Sequence, residues 1–171
     1  RLKAKMEIAL RYLGNAISQN HLTVEACEYG FKQAKWTGAG DNVLLGSSRA
    51  DMLLCDTDGG KVIFDFKYSR GKRQKAEVEE NRALQLEFYR HMAKQEFGLE
   101  TNVRVAYVLL PDVTILTADE FDDIDAIKLK ADRASADVIA EAARSYRFRW
   151  EQLKAGKIER VEGCVPGTGE Y

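Results

Sequence analysis

The chain has 171 residues, of which 45% are hydrophobic and 31% are charged, and its formal net charge is −1. This balance excludes an intrinsically disordered chain, and the length fits one domain with a core of its own. No apolar run approaches the about 20 residues that a membrane-spanning helix requires, so no membrane association is expected.

The first half of the chain predicts a helix followed by three strands. Residues 2–19 place apolar side chains at helical spacing and predict an amphipathic helix. Residues 22–34 alternate weakly and predict a strand, and a loop follows at 37–41. The clearest strands are 43–55 and 61–68, which flank a turn rich in aspartate and glycine and are expected to form an antiparallel hairpin.

The second half predicts further helices and strands: a long helix at 77–97, strands at 103–110 and 113–116, a helix opened by a capping box at 117–120, and a helix at 134–155. The nearly continuous β-prone run at 103–110 is typical of a strand covered on both faces. Together these elements predict an α/β domain with a central mixed β-sheet flanked by helices, covering residues 1–156. An irregular C-terminal tail is expected at 157–171.

Two carboxylates and a lysine are expected on one face of the hairpin. If the turn is centred on Asp58, then Asp51 and Asp65 are equidistant from it and lie opposite each other. Lys67 points to the same face as Asp65 because side chains alternate along a strand. Two close carboxylates among apolar neighbours repel, and a hard divalent cation such as Mg²⁺ would relieve that repulsion. The alternative is a structural salt bridge among the three side chains.

The residues around this pattern resemble the PD-(D/E)XK nuclease superfamily. The chain resembles it in the order of three features: Gly46-Ser-Ser-Arg-Ala-Asp51, then a hairpin turn, then Ile63-Phe-Asp-Phe-Lys67. Gln85-Leu-Glu-Phe-Tyr89 is similar to the Gln-x-x-x-Tyr motif of the RecB-like exonuclease branch. As a set, the motifs are specific. The resemblance implies a restriction-endonuclease-like core with the order αβββαβ.

The resemblance also implies roles for the matching residues. It implies metal ligands at Asp51, Asp65 and the backbone carbonyl of Phe66, and catalytic side chains at Asp51, Asp65, Lys67 and Gln85. Tyr89 lies one helical turn beyond Gln85 and is expected to contact DNA. A generic amphipathic helix is the alternative for these last two residues, although a buried glutamine needs hydrogen-bond partners.

Further candidates come from the first helix and from the basic residues after the hairpin. The branch uses an acid from its first helix, for which Glu7 is the candidate and Glu25 a weaker one. A solvated helix face is the alternative for Glu7. Arg70, Lys72 and Arg73 are expected to grip phosphates beside the scissile bond, with a solvated loop as the alternative.

The predicted function is that of a deoxyribonuclease that uses Mg²⁺ or Mn²⁺ to hydrolyse phosphodiester bonds. The branch implies an exonuclease of DNA repair, recombination or phage replication, with DNA as substrate and a helicase or recombination protein as a further partner. The alternatives are a catalytically inactive nuclease-fold module for DNA binding or protein docking, and an unrelated α/β interaction domain.

The cysteines bear on cofactors and on the compartment. Cys27, Cys55 and Cys164 are far apart and lack any CxxC spacing, which supports neither a disulfide framework nor a zinc site. A reducing, intracellular location is therefore expected, and the cytoplasm is predicted. Some RecB-like nucleases bind an iron–sulfur cluster through C-terminal cysteines. Only Cys164 is present in that region, so no cluster is expected in this chain.

Overall fold

A five-stranded sheet forms the centre of the molecule, and helices pack on it. The computed structural model describes residues 2–36, 43–130 and 135–157. The helices and strands, in chain order, are α1 (Leu2–Gln19), β1 (Thr23–Trp36), β2 (Val43–Cys55), β3 (Lys61–Lys67), α2 (Lys72–Glu79), α3 (Leu84–Phe97), β4 (Val103–Leu109), β5 (Thr114–Leu116) and α4 (Ser135–Lys154).

The strands lie in the order β1-β2-β3-β4-β5, so each is hydrogen-bonded to its neighbour in the sequence. All neighbouring pairs are antiparallel except β3 and β4, which are parallel. Parallel neighbours need a long crossover, and α2 and α3 supply it. The predicted mixed sheet with flanking helices is thus confirmed, as an α/β fold of the restriction-endonuclease-like kind.

The β2–β3 hairpin has the register that the sequence predicted. Met52 pairs with Phe64, and the following pairs keep the same symmetry about Asp58. The Asp56 carboxylate holds the turn, because its Oδ1 accepts hydrogen bonds from the backbone N–H groups of Asp58 at 3.0 Å and Gly60 at 2.7 Å. The turn therefore sets which side chains face each other further along the two strands.

Two hydrophobic clusters cover the two faces of the sheet. Successive side chains of a strand point to opposite faces, so Ile63 enters one cluster and Phe64 the other. The first cluster packs α3 on the sheet through residues such as Leu86, Tyr89 and Met92. The second packs α1 on the sheet through residues such as Leu13 and Ala16. β4 is buried along nearly its whole length, as expected for a strand covered on both faces.

The single helix predicted at 77–97 is wrong, because the chain leaves the helix after Glu79 and re-enters it at Leu84. Asn81 adopts a left-handed conformation with φ 49°, which asparagine tolerates better than most residues. Neither a glycine nor a proline marks the break. The break allows Val78 of α2 and Leu86 of α3 both to reach the first cluster.

The helix predicted from the capping box at Thr117 is also wrong. The buried Thr117 hydroxyl donates to the Val105 carbonyl at 2.9 Å and accepts from the Asp119 N–H at 2.9 Å. The Asp119 carboxylate accepts from the Val105 N–H at 2.7 Å and from Arg90 at 3.0 Å. These long-range bonds fix the segment against β4 and α3. A helix at this position would prevent the bonds from forming.

The remaining predicted elements agree with the structure to within about two residues at each end, which is the ordinary uncertainty of an element boundary. The loop predicted at 37–41 and the tail predicted beyond Lys157 lie outside the described residues. None of the helices described is both long enough and apolar enough to cross a membrane.

Candidate active site

The predicted catalytic residues come from three elements that meet at one end of the hairpin. Asp51 belongs to β2, Asp65 and Lys67 to β3, and Gln85 and Tyr89 to the first half of α3. Asp65 points away from the second cluster and towards α3, whose side chains bind it. The structure therefore brings together residues that are up to 38 positions apart in the sequence, the separation between Asp51 and Tyr89.

Asp65 is the centre of the arrangement and is only 2% exposed. Its Oδ1 accepts hydrogen bonds from Gln85 Nε2 at 2.8 Å and from the Tyr89 hydroxyl at 3.1 Å. Its Oδ2 lies 2.6 Å from Lys67 Nζ and forms an ion pair with it. One oxygen of the carboxylate is thus fully held by α3, and the other meets only the neighbouring ammonium among the described residues.

Lys67 is held by groups from two different elements. Its Nζ donates to Gln85 Oε1 at 2.9 Å and lies 5.4 Å from the centre of the Tyr107 ring. Tyr107 is the β4 partner of Asp65 in the parallel register, and it is buried. No sequence pattern singles out Tyr107, because only the β3–β4 pairing places it beneath the lysine.

Gln85 and Tyr89 form hydrogen bonds with Asp65 and with each other. Gln85 is exposed rather than buried, yet its amide joins Lys67 through the oxygen and Asp65 through the nitrogen. The Tyr89 hydroxyl accepts from Gln85 Nε2 at 3.1 Å and lies 2.9 Å from the Arg49 carbonyl oxygen. Burial and the charge of Asp65 raise the pKa of Tyr89 to about 12, so this hydroxyl remains a hydrogen-bond donor at neutral pH.

Asp51 approaches the same site from β2. Its Oδ2 accepts a hydrogen bond of 2.6 Å from the Phe66 N–H. The pairing of β1 with β2 omits the position where Glu28 would face Asp51, and Glu28 has a left-handed φ of 54°. This local irregularity lies beside Asp51, whose charge acts on Asp65.

The pKa of Asp65 is raised above its ordinary value. Burial is the main cause, because a low-dielectric environment disfavours the charged form. The charge and proximity of Lys67 act in the opposite direction, as does the Tyr89 hydroxyl, while the charge of Asp51 raises the pKa further. The carboxylate is therefore in an environment that penalises its ionised form despite three polar neighbours.

The sequence profile of the PD-(D/E)XK nuclease superfamily matches residues 1–165. The chain belongs to this superfamily. A comparison with curated protein sequences gave no match. Membership makes the chain a nuclease-type protein, and it agrees with the mixed sheet and the hairpin described above.

The donor set of this nuclease fits a hard divalent cation of the kind that superfamily members generally use. Asp51 and Asp65 present carboxylate oxygens, which Mg²⁺ and Mn²⁺ prefer, and the charge of Asp51 acts on the buried Asp65. No group of three acids, histidines or cysteines within the described ranges is close enough to hold a metal. The carbonyl of Phe66 remains a predicted ligand.

Glu7 is not brought to the carboxylates of the nuclease site. It is exposed on α1, and that helix packs with the second cluster, whereas Asp65 binds α3 on the other face. Glu25, the weaker candidate, forms an ion pair of 2.6 Å with Lys61. The role of Glu7 as a ligand stays a prediction.

The basic residues predicted to bind DNA lie beside the nuclease site. Arg70 and Lys72 are exposed and line a groove of about 650 Å³ between α2, β5 and residues 123–128. Arg73 is exposed and forms an ion pair of 2.7 Å with Glu77. The groove does not include the carboxylates or Lys67, and it contains acids as well as bases: Arg70, Lys72, Lys75 and Lys128 against Glu79, Asp112, Asp123 and Asp125.

Proposed function

We propose that this chain is a metal-dependent deoxyribonuclease that hydrolyses phosphodiester bonds, and that it acts as an exonuclease in DNA repair, recombination or phage replication. One observation carries the proposal. The buried Asp65 carboxylate, whose pKa burial raises, is held by Gln85 and Tyr89 at one oxygen and by Lys67 at the other, and it also experiences the charge of Asp51. A structural salt bridge would need only the lysine, whereas a second carboxylate beside the first destabilises it.

In this proposal, Asp51 and Asp65 hold the cation, and Mg²⁺ or Mn²⁺ when bound supplies positive charge to the phosphate and lowers the pKa of a bound water. Gln85 and Tyr89 would orient the Asp65 carboxylate as a ligand by binding its Oδ1.

Lys67 provides the second positive charge of the proposed mechanism. Gln85 and the Tyr107 ring restrict its ammonium to a position next to Asp65 Oδ2. There it would hold the attacking water or stabilise negative charge that develops on the phosphate. Because its position is set before substrate arrives, little reorganisation is required during the reaction.

An inactive nuclease-fold module for DNA binding or docking is the alternative. It is less well supported, because a buried carboxylate with a raised pKa lowers stability, and a protein without catalysis would have no use for it. We also propose that DNA is the substrate, that a helicase or recombination protein is a partner, and that the protein works in the cytoplasm.

The test is cleavage of end-labelled linear DNA and of circular DNA in the presence of Mn²⁺ or Mg²⁺. We expect Lys67→Met and Asp65→Ala each to lower the rate by about 10²–10³, as for the loss of one preorganised charge in an active site. Lys32→Met, at an exposed position of β1, is the matched control and should leave the rate unchanged.

The two DNA forms separate the finer parts of the proposal. Degradation of linear DNA with circular DNA intact supports an exonuclease, and cleavage of both identifies an endonuclease. Cleavage by Lys67→Met at the wild-type rate would refute the mechanism. Absence of cleavage by the wild-type chain with either metal, under conditions where it binds DNA, would instead support the inactive module.

A further inference from the structure

The second half of α4 exposes a stripe of large apolar side chains. Tyr146 is 62% exposed, Trp150 is 48% exposed and Leu153 is 56% exposed. Their spacing of four and three residues places them on one face of the helix. Such a contiguous apolar stripe on a surface helix indicates an interaction site more often than a scattered exposed residue does.

The same helix face is buried in the first half of α4. Ile139 and Ala143 precede Tyr146 at helical spacing, and both are buried. The face thus packs against the body of the domain up to residue 143 and is open to solvent beyond it. The stripe is exposed because α4 extends beyond the part of the domain on which its first half packs.

Basic side chains accompany the stripe. Residues 144–154 contain four basic residues, Arg144, Arg147, Arg149 and Lys154, and one acid, Glu151. With about 100° of rotation per residue, Arg147 and Arg149 fall on either side of the face formed by Tyr146 and Trp150. Arg149 donates to Gln152 at 3.1 Å, and it keeps its positive charge in that contact.

The part of α4 that precedes the stripe adjoins the start of the helix that carries Gln85 and Tyr89. A cavity of about 230 Å³ is lined by Arg82 and Leu84 at the start of α3 and by α4 residues from Val138 to Ser145. Gln85, the next residue of α3, is bound to Lys67 and Asp65. The stripe begins at Tyr146, the residue that follows Ser145 of this cavity, so it lies directly beyond the contact between α4 and the start of α3.

We propose that Tyr146 and Trp150 form a stacking surface for unpaired bases of a DNA strand, and that the flanking arginines contact its phosphates. This inference rests on the proposed function, and it assigns a single-stranded region to the substrate. The two rings are about 6 Å apart along the helix axis, which is one turn. Bases stack on exposed aromatic rings whatever their sequence, and arginines beside the rings neutralise the backbone.

The excess of positive charge decides between the possible occupants. A second apolar protein surface would fit the stripe but not Arg147 and Arg149, which lie on either side of it. A polyanion with flat apolar bases fits both. Stacking also explains why rings are presented at the exposed end of the helix, where bases can be reached without rearranging the core.

The test measures binding without cleavage, using the Asp65→Asn chain in EDTA. Fluorescence anisotropy follows three labelled ligands of equal length: an oligo-dT strand, an abasic strand with the same phosphates, and a duplex. We expect tighter binding of oligo-dT than of the abasic strand. Tyr146→Ala and Trp150→Ala should each weaken oligo-dT binding by about 5–100-fold, the usual value of one stacked base, and leave abasic binding nearly unchanged.

Phe148→Ala is the matched control. Phe148 is 57% exposed on the same helix, but it lies about 200° from Tyr146 and so faces away from the stripe. Its loss should not alter oligo-dT affinity. Because all three rings are exposed, thermal unfolding should show that each variant folds as stably as its parent.

Equal affinity of the parent chain for oligo-dT and the abasic strand would overturn the inference, as would equal effects of Trp150→Ala and Phe148→Ala. Sedimentation velocity tests the alternative that the stripe is an interface between two copies of the chain. If Trp150→Ala turns a dimer into a monomer while oligo-dT affinity stays the same, the stripe joins two copies of the chain instead. A failure of the nuclease proposal would appear in cleavage assays, which this binding comparison does not use.

Discussion

The Asp65 carboxylate experiences opposing influences within a few ångströms. Gln85, Tyr89 and Lys67 surround it, and each of them favours the ionised form or tolerates it. Burial nevertheless has the larger effect and raises its pKa. In the metal-free protein the ionised group therefore lowers the stability of the fold, and a bound cation would remove that cost.

The first prediction is that Asp65→Asn stabilises the metal-free protein at neutral pH. In the unfolded chain the carboxyl ionises near its ordinary pKa of 3.8, whereas in the folded chain it keeps its proton to a higher pH. The folded state thus binds more protons in this interval, so wild-type stability falls as pH rises through it. The amide introduced by the substitution keeps an oxygen that can accept from Gln85 and Tyr89, and it never ionises. Its NH2 group replaces the oxygen beside Lys67 Nζ, and Lys67, whose side chain is 27% exposed, can turn its ammonium towards solvent.

The measurement is the melting temperature in EDTA as a function of pH. We expect Asp65→Asn to melt a few degrees above wild type at pH 7, since about 1 kcal/mol corresponds to roughly 2–4 °C at this length. The difference should shrink as the pH approaches 3.8. Asp58→Asn, at the exposed turn, should show no such pH dependence. A variant that melts below wild type at pH 7 would contradict the electrostatic account.

At the scale of the secondary structure elements, local patterns predicted most of the chain. Strand alternation, the aspartate–glycine turn and the apolar spacing of the terminal helices all agree with the structure. In these segments the local preference of the sequence and the tertiary packing favour the same conformation. The break at Asn81 was not predictable, since it carries no glycine or proline. The Thr117 segment has the pattern of a helix cap, but its polar side chains form other bonds. The Thr117 hydroxyl binds the Val105 carbonyl, and the Asp119 carboxylate binds Arg90.

The second prediction concerns Gly71, which begins α2 directly after the loop that follows the catalytic strand. It has φ 69°, and a Cβ built on it would lie 2.1 Å from Leu109 Cδ1. Alanine therefore introduces both a left-handed non-glycine residue, costing about 1–2 kcal/mol, and overpacking of about 1–3 kcal/mol. We expect Gly71→Ala to lower the free energy of unfolding by roughly 2–5 kcal/mol in urea titrations.

Gly59 offers a matched comparison for that substitution. It has φ 83° in the hairpin turn, but nothing lies within 4 Å of the position that a Cβ would occupy. Gly59→Ala should therefore show only the backbone cost. In a double-mutant cycle, Leu109→Ala should recover part of the additional loss at Gly71, because it removes the contacting atom. Equal losses at the two glycines would mean that Leu109 moves aside freely.

At the scale of the whole molecule, the candidate site joins parts that are separate in the sequence. The hairpin symmetry predicted that Asp51 and Asp65 would lie together, and the spacing of Gln85 and Tyr89 predicted that both would share a helix face. Tyr107 and the Arg49 carbonyl could not be predicted, because their positions depend on the β3–β4 register and on how α3 lies across the sheet. Sequence patterns describe local geometry, and these contacts arise from packing between distant segments.

This dependence on long-range packing has a thermodynamic consequence for the metal. A cation bound between β2 and β3 binds the folded chain and not the unfolded one, so it raises the melting temperature by an amount that grows with the logarithm of its concentration relative to Kd. Saturation at about 100 times Kd adds about 2.7 kcal/mol. At this chain length, that gain raises the melting temperature by roughly 5–11 °C. We expect Mn²⁺ to produce such a shift in the wild-type protein.

The variants decide whether the shift comes from the candidate site. Asp51→Asn and Asp65→Asn should each abolish most of it, because each removes one of the two carboxylates, while Asp58→Asn should retain it as a matched loss of one negative charge. Glu7→Gln should also retain it, since α1 packs on the other face of the sheet. A smaller shift in Glu7→Gln would show that the first helix supplies a ligand after all. An undiminished shift in Asp65→Asn would place the cation elsewhere, and the proposed mechanism would then lose its metal.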